Sequence, residues 1–195
     1  MRIIGITGGV GSGKSAVLKI LEQEYGAEIL EEDRIARELM EPGGASYQAV
    51  VQAFGPEICR ADGTIDRPRL GAIVFGEESK RLLLNRLTHP LVEQETRRRL
   101  AASQAALVAL ETALPREANL SQLCDTVWYI HAPEAVRIQR LRKSRGYSLE
   151  KCREMMASQL PEKEFRALCD QVIENGESLE ATRRQIAAIL DCGNR

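Results

Sequence analysis

Charge of neither sign dominates this chain: 27 lysines and arginines stand against 28 aspartates and glutamates, a formal net charge of -1. A protein that neutralises a nucleic-acid backbone along its length carries a basic excess, so no nucleic-acid partner is expected and any phosphate site has to be local. Long apolar runs are missing as well. The longest, Ala105 to Leu110, falls far short of the roughly 20 residues that cross a bilayer. The stretch from Met1 to Thr7 reaches the glycines too early to hold the apolar core of a secretion signal, so a cytoplasmic protein without a membrane partner is expected. The five cysteines, Cys59, Cys124, Cys152, Cys169 and Cys192, form no Cys-x-x-Cys pair. That spacing points away from zinc and redox sites and towards reduced, structural thiols. Internal repeats, linkers and low-complexity tracts are lacking too.

What is present suits a globular protein: 195 residues, 44% of them hydrophobic and 28% charged, enough for one domain with one or two inserted subdomains. The run Ile3 to Thr7 is β-branched and ends in glycine, and Lys14 to Glu24 follows with apolar residues at Val17, Leu18 and Leu21, which is helical spacing. Short apolar runs recur at Ala27 to Leu30, Leu107 to Glu111, Thr126 to His131 and Gln171 to Glu174, with helical segments between them. Strands alternating with helices predict an α/β fold whose mostly parallel five-stranded sheet is covered on both faces, in three layers.

The gap from Ile35 to Gln104 is too long for one crossover helix and predicts an inserted helical subdomain over about 41–104. Glu41-Pro42-Gly43-Gly44 breaks its first helix, which spans Arg34 to Met40 with Asp33 as N-cap. Asp62-Gly63 marks a turn, Asp66-Arg67-Pro68 reads as an N-cap with proline in the first turn, and His89-Pro90 as a helix junction. A charged helical stretch over about 142–167, with Gly146 and Pro161 as boundaries and Ser148 as N-cap, has the character of a lid. The remainder, about 1–40, 105–141 and 168–195, forms the nucleotide-binding core of a single domain, closed by an amphipathic helix carrying Leu179, Thr182, Ile186 and Ile189.

Between the first strand and the first helix lies Gly8-Gly9-Val10-Gly11-Ser12-Gly13-Lys14-Ser15, the Gly-x-x-x-x-Gly-Lys-Ser spacing of a phosphate-binding loop in the context that confirms it. Glycines let successive backbone N–H groups turn inward around phosphates, and the helix N-terminus adds partial positive charge. Lys14 reaches the β- and γ-phosphates of a nucleoside triphosphate, and the Ser15 hydroxyl is a magnesium ligand. Glu111, ending an apolar strand, suits a carboxylate beside magnesium-bound water, although such strand ends are as often structural. Glu31, Glu32 and Asp33 bring three carboxylates to the carboxyl edge of the sheet, where open α/β folds bind ligands. Arg137, Arg140, Arg142, Lys143 and Arg145 make a basic run that is either a solvated face or a source of cations for phosphoryl transfer. His131 reads as an incidental strand-end residue and His89 as structural. No Asn-Lys-x-Asp motif occurs, which argues against a GTPase.

The chain resembles the dephospho-coenzyme A kinase family nearly end to end. The resemblance is carried by Ile6 to Ser15, Asp33-Arg34-Ile35-Ala36-Arg37-Glu38, Glu41-Pro42-Gly43, Asp62-Gly63-Thr64-Ile65-Asp66-Arg67, Leu87-Thr88-His89-Pro90-Leu91-Val92, Ser158-Gln159 and Asp170 to Asn175. It implies a P-loop NTPase fold, ATP as phosphoryl donor with Mg2+, and dephospho-coenzyme A as acceptor. It further implies nucleotide contacts from Gly9 through Ala16 and from Asn175, Asp33 orienting the acceptor hydroxyl, Arg140 near the phosphates, His89 in the substrate subdomain, and a monomer or weak homo-oligomer. Three stretches depart from the family pattern: Glu31-Glu32-Asp33 for Asp-x-Asp, Ala113-Leu114-Pro115-Arg116-Glu117 for Pro-Leu-Leu-x-Glu, and Ser144 where an arginine commonly follows Arg140 by four residues. Another small-molecule P-loop kinase and a nucleotide-sensing module without transfer activity are the competing readings.

Overall fold

A computed structural model describes residues 1–113 and 119–192. The altered stretch after Glu111 therefore lies, beyond Ala113, outside the described residues, as does the side chain of Cys192. The elements run β1 (Arg2–Thr7), α1 (Lys14–Tyr25), β2 (Glu28–Glu31), α2 (Glu32–Leu39), α3 (Tyr47–Phe54), α4 (Arg67–Gly76), α5 (Glu78–Ala102), β3 (Leu107–Glu111), α6 (Leu120–Leu123), β4 (Thr126–His131), α7 (Glu134–Arg145), α8 (Leu149–Ala157), α9 (Glu162–Leu168), β5 (Gln171–Glu174) and α10 (Leu179–Cys192). They form two compact units, Met1–Ile29 with Gln104–Arg195, and Leu30–Ser103.

The five strands lie in the order β2-β3-β1-β4-β5, and β1 pairs in parallel with both β3 and β4. A central parallel strand is buried on both faces, which is why β1 reads as an apolar run without polar alternation. Ile4 and Ile6 of β1, Ala109 of β3, Trp128 and Ile130 of β4 and Ile173 of β5 pack with Val17, Leu18 and Leu21 of α1 and Ile186 and Leu190 of α10. The alternate residues face the other way. A side chain at Gly5 would meet Leu120 and Cys124, and Tyr129 stacks on Phe165 of α9 with ring centroids 5.0 Å apart. Helices thus cover both faces, in the three layers expected of this α/β fold.

Within the Leu30–Ser103 unit, Val50, Phe54, Ile58, Ile65 and Leu70 make a separate small core. Local polar bonds set its turns. The Asp62 carboxylate accepts from the Thr64 N–H and hydroxyl, and Asp66 caps α4 by accepting from the Arg69 N–H at 3.1 Å. Two expectations are corrected here. The helix after β2 begins at Glu32, so Asp33 sits in its first turn and Glu31 is the extended N-cap residue; carboxylates in a first turn complement the helix dipole. Nor is His89-Pro90 a junction, because α5 continues through Pro90 for 25 residues. Proline forfeits one helical N–H and costs about 3 kcal/mol, and the packing of Leu83, Leu84 and Leu87 of the same helix against the small core works against that cost.

Arg99 ties α5 to α2, with Nη2 at 2.6 Å from Glu38 Oε2 and Nε at 2.7 Å from Glu95 Oε1. Hydrogen bonds from Arg98 and Arg99 pull the Glu95 carboxyl down from the ordinary 4.5 to about 2, and the Arg99 bond is the main cause that lowers Glu38. A depressed carboxyl contributes stability above its unfolded pKa and loses it as pH falls through the folded one. The denaturant midpoint should therefore drop between about pH 4.5 and 2, and Arg99→Met should flatten that drop. An acid limb unaltered by the substitution would show these pairs to be energetically idle.

A candidate nucleotide site

After Thr7 the chain leaves the sheet as the loop Gly8 to Gly13 and enters α1 at Lys14. At Gly8 a Cβ would lie 2.5 Å from the Ile130 carbonyl oxygen, so the neighbouring strand leaves room for glycine alone. Gly13 is the N-cap of α1 with φ 92°, a left-handed conformation that glycine adopts at little cost. It supplies no side-chain cap, so the first N–H groups of α1 keep their donor capacity.

The loop carbonyls are held one by one by side chains. Lys14 Nζ donates to Gly8 O at 2.8 Å and Arg137 Nε to Val10 O at 2.8 Å. Ser12 O accepts from Arg140 Nη1 at 3.0 Å and from Asn175 Nδ2 at 2.8 Å. Three anchored carbonyls brace the loop, while of its N–H groups Val10 donates to Gln159 Oε1 and Ser12 to Gly9 O.

Lys14 also sits 3.3 Å from Glu111 Oε1, with side-chain exposures of 16% and 11%, so this is a largely desolvated pair. Its geometry follows from register: Glu111 is opposite Ile6 at the carboxyl end of β3, next to the strand that feeds the loop. Ser15 is exposed at the start of α1 and Ala16 half-buried behind it. Glu111 and Ser15 are hard oxygen donors of the kind magnesium takes. Among the described residues no three His, Cys, Asp or Glu side chains converge as a metal cage.

Arg140 and Asn175 are brought to the loop. Arg140 forks between Ser12 O and Asn175 O, the latter at 2.7 Å, behind the loop. Buried Asn175, at the end of β5, has its Oδ1 fixed by the Thr182 hydroxyl at 2.9 Å, so its amide N–H is directed at Ser12. In the other unit, Asp33 is exposed in the first turn of α2, and half-buried His89 lines a cleft of about 550 Å³ with Ser79, Leu82, Asn85, Arg86 and Pro90.

Two loop partners escape sequence reasoning. Arg137 belongs to a run that is commonly a solvated face, yet it is half-buried, and burial pushes its pKa down. Its spacing of three from Arg140 puts both on one helix face, and that was the available signal. Gln159 lies in the turn between α8 and α9 and accepts from Val10 N–H at 2.8 Å; nothing in its local sequence announces this. His131 is not incidental. Its Nδ1 is 2.5 Å from Glu174 and its Nε2 3.4 Å from Glu162, while Arg166 bonds both carboxylates, so the cluster ties α9 to β5. Cys59, Cys124, Cys152 and Cys169 are in no disulfide, and burial beside Asp170 pushes Cys169 up to about 12, where it is inert. No helix among the described residues is long and apolar enough to cross a membrane.

Fold and loop together define a P-loop nucleotide-binding protein of the small-kinase type. The family model described as dephospho-CoA kinase matches residues 2–181. The dephospho-CoA kinase of Carboxydothermus hydrogenoformans is 43% identical over 191 residues, covering 96% of this chain and 92% of its own. A crystal structure from Thermus thermophilus superposes with a TM-score of 0.84 at 32% identity, covering 97% of this chain and 96% of that one. The dephospho-CoA kinase structure from Campylobacter jejuni shares the fold, with a TM-score of 0.71 at 22% identity and complete coverage of both chains. The chain belongs to the dephospho-CoA kinase family.

Proposed function

We infer that the protein transfers the γ-phosphoryl of ATP to the ribose 3′-hydroxyl of dephospho-coenzyme A, giving coenzyme A in the last step of its synthesis. The observation that carries this reading is the Lys14 ammonium, held between Gly8 O and Glu111 at the mouth of a braced phosphate loop, in a chain matched by the family almost throughout. Lys14 exchanges its carboxylate partner for the β- and γ-phosphate oxygens, and the N–H groups at the start of α1 complete the cradle. Gly9 to Gly13 shape the loop, Ser15 and Ala16 continue it into the helix, and Asn175 and Arg140 hold its outer side. Arg140 lends its charge to the phosphates through the loop it braces.

Asp33 accepts a hydrogen bond from the 3′-hydroxyl, orients it for in-line attack and takes up its proton as the phosphoryl group moves. His89 and its cleft serve the acceptor. Magnesium, when bound, neutralises the β- and γ-phosphates, with Ser15 and Glu111 as the oxygen donors of this chain. The inserted helices over about 41–104 act as the substrate subdomain and the stretch over about 142–167, which holds α8 and most of α9, as the lid. The protein acts in the cytoplasm as a monomer or weak homo-oligomer, without nucleic-acid or membrane partners.

The test is ADP release with magnesium-ATP and dephospho-coenzyme A, beside adenosine, AMP, shikimate and gluconate, with the product mass measured. Turnover confined to dephospho-coenzyme A is expected. ATP binding without turnover on it, or turnover on another acceptor alone, would overturn the reading.

A further inference from the structure

Val10 is the loop residue whose peptide groups are held on both sides from outside the loop. Its carbonyl accepts from Arg137 Nε at 2.8 Å, and its N–H donates to Gln159 Oε1 at 2.8 Å. The two partners are joined to each other, because Arg137 Nη2 donates to the same Gln159 oxygen at 3.2 Å. Both neighbours of the Gln159 amide are donors, so it must present its oxygen to them, and that settles which way the amide faces. Gly9 leaves space for the pair: a Cβ there would collide with the Arg137 guanidinium and lie 3.1 Å from Gln159 Oε1.

We propose that Gln159 is a positioning residue for nucleotide binding, which sets the orientation of the Val10 peptide and couples the shape of the phosphate loop to the docked position of the α8–α9 turn. This rests on the kinase reading above. The Val10 N–H lies in the Gly9–Val10 peptide plane and the Val10 carbonyl in the Val10–Gly11 plane, so the two bonds fix the planes on either side of the Val10 Cα. With a bond on each of these two planes, the chain direction entering Gly11 is set, and the ordering cost falls before the nucleotide arrives. Arg137 holds the Val10–Gly11 plane by its carbonyl; from outside the loop it is Gln159 that holds the Gly9–Val10 plane, by its N–H. Because Gln159 lies outside both helices, at the turn that joins them, displacement of α8 and α9 releases the loop with it.

Only an acceptor oxygen is needed, and this separates the proposal from direct contact between the Gln159 amide N–H and a substrate. Gln159→Met removes the oxygen; Gln159→Glu keeps it and pairs it with Arg137. Gln159→Met is expected to raise the KM for ATP about tenfold, the loss of one hydrogen bond to a partly buried donor, while kcat stays within about threefold. Gln159→Glu should restore both constants to within about threefold of the parent. Amide exchange at Val10, measured without nucleotide, should quicken in Gln159→Met and not in Gln159→Glu. If Glu fails as Met does, or if Met tightens ATP binding or leaves Val10 exchange unchanged, the proposal is wrong. Loss of turnover in the parent protein would instead count against the kinase reading, and the exchange result would still decide the role of Gln159.

Discussion

Lys14→Met should lower kcat/KM for ATP by about 10²–10³, the range seen when one preorganised electrostatic contact to developing charge is removed. Among the described residues the two nearest arginines, Arg137 and Arg140, are already engaged with Val10 O, Ser12 O and Asn175 O behind the loop. The fold should survive, because Lys14 lies at the start of α1 outside the apolar core, although removing one partner of a largely desolvated pair lowers stability. The decisive comparison is between nucleotide affinity, which should collapse, and melting temperature, which should move by a few degrees. A variant that binds ATP within tenfold of the parent would remove Lys14 from the site.

Asp33→Asn should act on the other side of the reaction. Its kcat is expected to fall by about 10²–10⁴, the contribution of a positioned general base, with ATP affinity unchanged. The substitution is mild structurally: Asp33 is exposed, and its neighbour Glu32 keeps a negative charge in the first turn of α2. Losing one first-turn charge weakens that helix by about 0.3–1 kcal/mol. Asp33→Glu, which keeps the base but lengthens it by a methylene, should recover part of kcat. Equal losses of turnover and nucleotide binding in Asp33→Asn would make Asp33 a structural residue.

Different kinds of feature were legible to different depths. The phosphate loop was readable because its signal is local: the glycine spacing and the Lys14-Ser15 pair sit in one stretch between a strand and a helix. The strands were readable because a covered parallel sheet demands apolar runs, and the observed β1 and β2 differ from the expected ones by a single residue at their ends. Helix limits were less so. Nothing local says that β2 passes into α2 without a linker, or that α5 tolerates Pro90, because both depend on packing elsewhere along those helices.

The resemblance put Arg140 and Asn175 near the phosphates, but which loop atoms the braces hold was out of reach for a plainer reason. Gln159 and Val10 are 149 residues apart and Asn175 and Ser12 are 163 apart, and a glutamine or asparagine carries no sign of its partner. His131 is similar: a histidine at a strand end becomes a joint between α9 and β5 only once Glu162 and Glu174 are brought to its two nitrogens. Composition, periodicity and the glycine-lysine-serine spacing by themselves determined the α/β class, the strand sequence and the location of the phosphate loop, since each is decided within a turn or two of chain. Which side chains hold that loop in shape, and that Lys14 stands against Glu111, was decided only by the tertiary structure, because hydrogen bonds and ion pairs depend on ångström-scale distances between segments that the chain order leaves far apart.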